Sequence, residues 1–109
     1  MGDLYIGLMS GTSLDGVDAV LVDFAGERLQ VLGHRSAPFS GALKSELLAL
    51  NTSGADELHR AALAGNAVSR IYASLVQQLL SDLQLNASRI SSLGAHGQTV
   101  RHRPQEFDG

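Results

Sequence analysis

The chain has 109 residues, 44% of them hydrophobic, with only two prolines, a balance that fits one folded domain with a modest core rather than a disordered segment. Its net charge of −3 supplies no basic face for nucleic acid, so no nucleic-acid partner is expected. The absence of cysteine excludes disulfides, thiolate nucleophiles and Cys-ligated zinc; no apolar run approaches the roughly 20 residues that cross a bilayer and no basic leader precedes the first apolar run, so no membrane partner and a cytoplasmic location are expected.

Residues 4–9 and 17–24 are short, rich in Ile, Val, Leu and Tyr, and bounded by turn residues, which predicts two strands. Ala25-Gly26-Glu27 offers a tight turn, and the run from Leu29 to about Ala37 predicts a third strand, completing a meander. Pro38 ends it, and Ser40 is placed to cap a short helix carrying Leu43, Leu47 and Leu50. A second helix is expected from Ser53, which forms a capping-box pattern with Asp56, to about Leu83. Its stripe of Leu58, Ala61, Gly65, Val68, Tyr72, Leu75 and Leu79 suits packing on a sheet, with Gly65 and the alanines in close contact with one flat surface, and a coiled-coil seam is the rival reading. At 1.5 Å per residue such a helix is roughly 45 Å long, more than a small sheet needs, so its far end is expected to cover something outside the chain. Asn86 to Arg89 turn the chain, and Ile90 to Ala95 predict a fourth strand leading into His96-Gly97-Gln98-Thr99. The pattern is β-β-β-α-α-β with no closing element.

Chemistry concentrates in the turn between the first two strands. Gly11 and Gly16 permit positive φ and close backbone approach, while Thr12, Ser13 and the successive amides can donate to an anion. The spacing Gly11 to Gly16 matches half of a P-loop, but Val17-Asp18 stands where Lys and Ser or Thr must follow, and a strand rather than a helix comes next, so a Walker A site is rejected. An ordinary hairpin loop is the competing reading. Asp15 and Asp18 beside a phosphate cradle make sense with Mg²⁺ between them, held directly or through water; Asp23, further along the strand, is expected to be structural. His96, Gln98 and Thr99 follow a strand end, where open α/β sheets bind ligands, and suit a polyhydroxylated substrate; a structural histidine is the alternative. Arg101, His102 and Arg103 suit either a substrate carboxylate or a solvated basic turn. His34 and His59 have no partner pattern.

The run from Gly7 to Asp18, GLMSGTSLDGVD, closely resembles the opening motif of the anhydro-N-acetylmuramic acid kinases, and Ala95-His96-Gly97-Gln98-Thr99-Val100 resembles a second signature of that family. The resemblance implies an α/β fold of the actin, hexokinase and Hsp70 type, ribonuclease H-like, with residues 1–109 as an incomplete N-terminal portion of a kinase ATPase domain. It implies ATP held by Gly11, Thr12, Ser13, Leu14, Asp15, Gly16, Val17 and Asp18, with Mg²⁺, and an anhydro-sugar substrate met by His96, Gln98 and Thr99. The implied reaction opens the 1,6-anhydro ring with water and phosphorylates O6, giving N-acetylmuramic acid 6-phosphate for cell-wall recycling. The catalytic Asp is expected in a later segment, so no catalytic residue is assigned within the chain, and the complete protein is expected to be a homodimer. Another sugar or acyl kinase of the same superfamily, or a non-catalytic actin-like ATP-binding module, is the alternative.

Overall fold

The computed structural model describes residues 3–11, 14–26 and 28–101. Three strands, β1 (Leu4–Ser10), β2 (Gly16–Asp23) and β3 (Gln30–Pro38), form the expected antiparallel meander. Two helices follow, α1 (Gly41–Ala49) and α2 (Glu57–Asp82), and β4 (Ile90–Ala95) then returns parallel to β1, giving the sheet order β3-β2-β1-β4.

One face of this sheet is the core side. Alternation along β1 turns Leu4, Ile6 and Leu8 inward with Ser10, and the register places Val17, Ala19 and Leu21 of β2 beside them. Ala64, Val68, Tyr72, Leu75 and Leu79 of α2 close over that layer, so the stripe packs on the sheet and forms no coiled-coil seam among the described residues. Gly65 is not its close contact: a Cβ there would meet nothing within 4 Å, and Ala64 is the buried residue instead. The two positions flank the stripe centre at about 50° on either side, so periodicity cannot choose between them. Gly33 marks the close approach instead, since a Cβ there would lie 3.1 Å from Leu83 and 3.2 Å from Leu79.

The caps divide likewise. Ser40 accepts the Leu43 amide at 3.1 Å, as expected for α1. The Ser53 capping box does not form, because Asp56 is left-handed at φ 53° and α2 begins only at Glu57, whose carboxylate reaches back to the Gly54 amide at 3.1 Å. The far end of α2 is partly accounted for within the chain: α1 packs there, and Arg101 donates to the Leu50 carbonyl and the Glu57 carboxylate. No helix of the described residues is long and apolar enough to cross a membrane.

Candidate phosphate and sugar site

The turn between β1 and β2 opens after the Ser10–Val17 pair. Leu14, at φ 59°, buries its side chain and donates its amide to the Gly11 carbonyl at 3.2 Å, so that amide closes the turn rather than facing a ligand. Thr12 and Ser13 lie outside the described residues. Gly16 is required for space rather than for positive φ: a Cβ would sit 2.3 Å from the Ala37 carbonyl oxygen and 2.9 Å from Pro38 Cα, both backbone atoms of β3. Asp15 is exposed, with its carboxylate 3.9 Å from Lys44 Nζ and its carbonyl accepting the Phe39 amide at 3.3 Å.

Asp18 points to the sheet face opposite α2, where β3 supplies two neighbours that sequence reading passed over. Ser36 donates to Asp18 Oδ1 at 2.5 Å, and His34 Nε2 lies 3.2 Å from the same oxygen. Register is what brings them there, since Ser36 pairs directly with Asp18 and His34 lies two residues along the same face of β3. The Ser36 hydrogen bond is the main cause that holds the Asp18 carboxyl below its ordinary range; desolvation opposes it, and the His34 bond and charge reinforce it. Asp23 accepts the Ala25 amide at 2.8 Å, the structural role expected of it.

Because β4 runs parallel to β1, its carboxyl end arrives beside the hairpin turn. The His96 amide donates to the Leu8 carbonyl at 2.8 Å, and the His96 carbonyl accepts the Tyr72 hydroxyl. Two open clefts meet at Met9 and Asp18: one of about 460 Å³ lined by Gly11, Asp15, Gly16 and Ser36, the other of about 560 Å³ lined by Gly7, Val20, Gly94 and His96. Asp18 thus borders both clefts, with Asp15 on the first and His96 on the second. Gln98 and Thr99 line neither cleft; Gln98 donates to the Thr99 carbonyl at 3.0 Å, and its own buried Oε1 has no partner among the described residues. Arg101 is engaged by Glu57 at 3.0 Å and belongs to the α1–α2 junction, while His102 and Arg103 lie outside the described residues.

No group of three or more His, Asp or Glu side chains able to hold a metal occurs among the described residues. Mg²⁺ bound with phosphate needs only one or two carboxylates. The pair Asp15 and Asp18 on one cleft fits that demand, with both Asp18 hydrogen bonds falling on Oδ1.

The mixed sheet, whose antiparallel hairpin and parallel fourth strand end together with a helix layer on one face, has the arrangement of part of an actin-like ATPase domain, the fold that the family below implies. The chain belongs to the anhydro-N-acetylmuramic acid kinase family, whose model matches residues 3–108. It is 64% identical to the anhydro-N-acetylmuramic acid kinase of Variovorax paradoxus over 108 residues, 99% of this chain and 29% of that protein. The enzyme of the same name from Albidiferax ferrireducens is 64% identical over 109 residues, 100% of the chain and 28% of the relative. For that of Bordetella petrii the identity is 59% over 105 residues, 95% of the chain and 28% of the relative. The chain thus spans less than a third of the length of these curated relatives.

Proposed function

We propose that residues 1–109 are the N-terminal portion of the ATPase domain of an anhydro-N-acetylmuramic acid kinase, acting in the cytoplasm in cell-wall recycling. The observation that supports this reading is the meeting of the β1–β2 turn and the His96 segment around Met9 and Asp18. In the complete enzyme, water oxygen bonds to C1 of the anhydro-sugar as the C1–O6 bond breaks. O6 takes the γ-phosphoryl group of ATP, ADP leaves, and the water proton passes to an Asp supplied by the remainder of the protein. The product is N-acetylmuramic acid 6-phosphate.

In this scheme the turn from Gly11 to Asp18 grips the ATP phosphates, the Leu14 amide excepted, and His96 meets the sugar at its cleft, while Gln98 and Thr99, which line neither cleft, follow on the same segment. Asp15 and Asp18 would hold Mg²⁺, which supplies neutralisation of charge on the transferred group. Holding both reactants against one sheet end converts their encounter into an oriented one. Pairing as a homodimer has no support among the described residues.

The test uses a hybrid in which this chain replaces the segment of the Variovorax paradoxus relative that it matches. Incubated with ATP, Mg²⁺ and the anhydro-sugar, a folded hybrid should yield the sugar 6-phosphate and ADP. A folded hybrid that binds ATP but transfers nothing to O6, or that prefers other sugars in a substrate panel, would overturn the reading.

A further inference from the structure

We infer that Tyr72 is a positioning residue that joins the two halves of this site, an inference resting on the kinase reading above. Tyr72 comes from the middle of α2, remote in sequence from both signatures, and its ring is buried in the core layer. The other buried side chains of that helix stripe are Ala64, Val68, Leu75 and Leu79. Only at Tyr72 does the stripe carry a polar tip, and that tip reaches the sheet end where both signatures lie. Its hydroxyl donates to the His96 carbonyl and lies 3.4 Å from Ser10 Oγ.

The direction of this small chain follows from its donors. A carbonyl can only accept, so the single phenolic proton is committed to His96, and the Ser10 hydroxyl is left to donate toward the phenolic oxygen. Ser10 is itself buried, at 3% exposure, and is the last residue of β1 before the turn. His96 is therefore held on both sides, its amide by Leu8 of β1 and its carbonyl by α2. The turn leaves from Ser10 and the sugar-facing segment leaves from His96, so one junction of hydroxyl groups sets where each begins relative to the other. A phenylalanine would fill the same core volume without that junction. Transfer between two bound reactants depends steeply on their mutual placement, and a shift near 1 Å can cost about 100-fold.

The experiment is Tyr72→Phe in the hybrid kinase, with Ser10→Ala as the second variant. The expected result is a folded protein by circular dichroism, with kcat lowered about five- to tenfold and KM for the sugar raised, and with faster amide exchange at His96 and through Gly97 to Thr99. Ser10→Ala should move kcat in the same direction, and the double variant should lose no more than Tyr72→Phe alone, because both break one junction. Unchanged kcat, KM and amide exchange, with only a lower melting temperature, would reduce Tyr72 to a packing residue and overturn the inference. Independent, multiplicative losses from the two variants would overturn it as well. A parent hybrid without turnover would instead defeat the kinase reading and the positioning role with it, and the amide exchange would then report only on the structural clamp.

Discussion

Gly16→Ala isolates a steric requirement that one distance decides. The added methyl would start 2.3 Å from the Ala37 carbonyl oxygen and 2.9 Å from Pro38 Cα. Neither atom is the end of a flexible side chain, so β2 and β3 must part by about 1 Å at the mouth of the turn. That displacement strains the packing, at about 1–3 kcal/mol for an overfilled site, and threatens the Phe39 amide to Asp15 carbonyl bond, worth about 1 kcal/mol. Together these give a loss of about 2–4 kcal/mol, or a fall of about 10 °C or more in melting temperature for a domain of this size. Gly7→Ala is the matched control, because its methyl would meet only Val20 Cγ2 at an ordinary 3.5 Å. Replacing that glycine should be neutral or stabilising by up to about 1 kcal/mol. Thermal unfolding of both variants followed by circular dichroism gives the comparison; equal melting temperatures would show that the Gly16 contact does not constrain the fold.

Leu75→Ala empties a position exposed by only 1% and should cost about 2–5 kcal/mol, whereas Leu58→Ala, at 86% exposure, should stay within about 0.5 kcal/mol in the same denaturation assay. Ser40→Ala should cost about 1 kcal/mol by freeing the Leu43 amide, while Ser53→Ala should be silent because the Ser53 cap is not made. Arg35 grips Asp82 with bonds of 2.7 and 2.8 Å and holds its carboxyl below the ordinary range, so its contribution is present above the unfolded carboxylate pKa and is lost as pH falls through the lower folded value. Asp82→Asn should flatten the acid limb of a stability-against-pH curve in that window. Asp18→Asn in the hybrid should weaken binding of ATP with Mg²⁺ about tenfold but leave metal-free ATP binding equal or tighter, since without the cation a carboxylate beside a phosphate charge repels it. Calorimetric titrations with and without chelator would expose an error if both affinities fell alike.

The alternating runs of β1 and β2, the Ser40 cap and the Ile90–Ala95 strand were legible because each rests on near neighbours in sequence. The misread positions depend on what the chain meets in space. Gly65 and Ala64 are equivalent by helical period, and only the sheet chooses between them. Ser53 and Asp56 satisfy a local cap pattern, but the Gly54–Glu57 bond and the left-handed Asp56 set a different start. The turn made Asp18 a candidate, whereas Ser36 and His34 become its neighbours only through the β2–β3 register. A histidine without a nearby motif therefore gave no signal of the bond it makes 16 residues back along the chain.

The parallel pairing of β4 with β1 accounts for how two signatures about 80 residues apart come to share one end of the sheet. An antiparallel return would have left His96 at the Leu4 end of β1, roughly 20 Å from the hairpin turn. Parallel return needs a connection that travels back over the sheet, and α2 supplies it with 26 residues, roughly 39 Å. That length exceeds the strand, and the helix also packs against α1 and meets Arg101 through Glu57. The same helix that makes the connection places Tyr72 opposite the ends of β1 and β4. The element that brings the two segments together thus also supplies the hydroxyl that fixes their spacing.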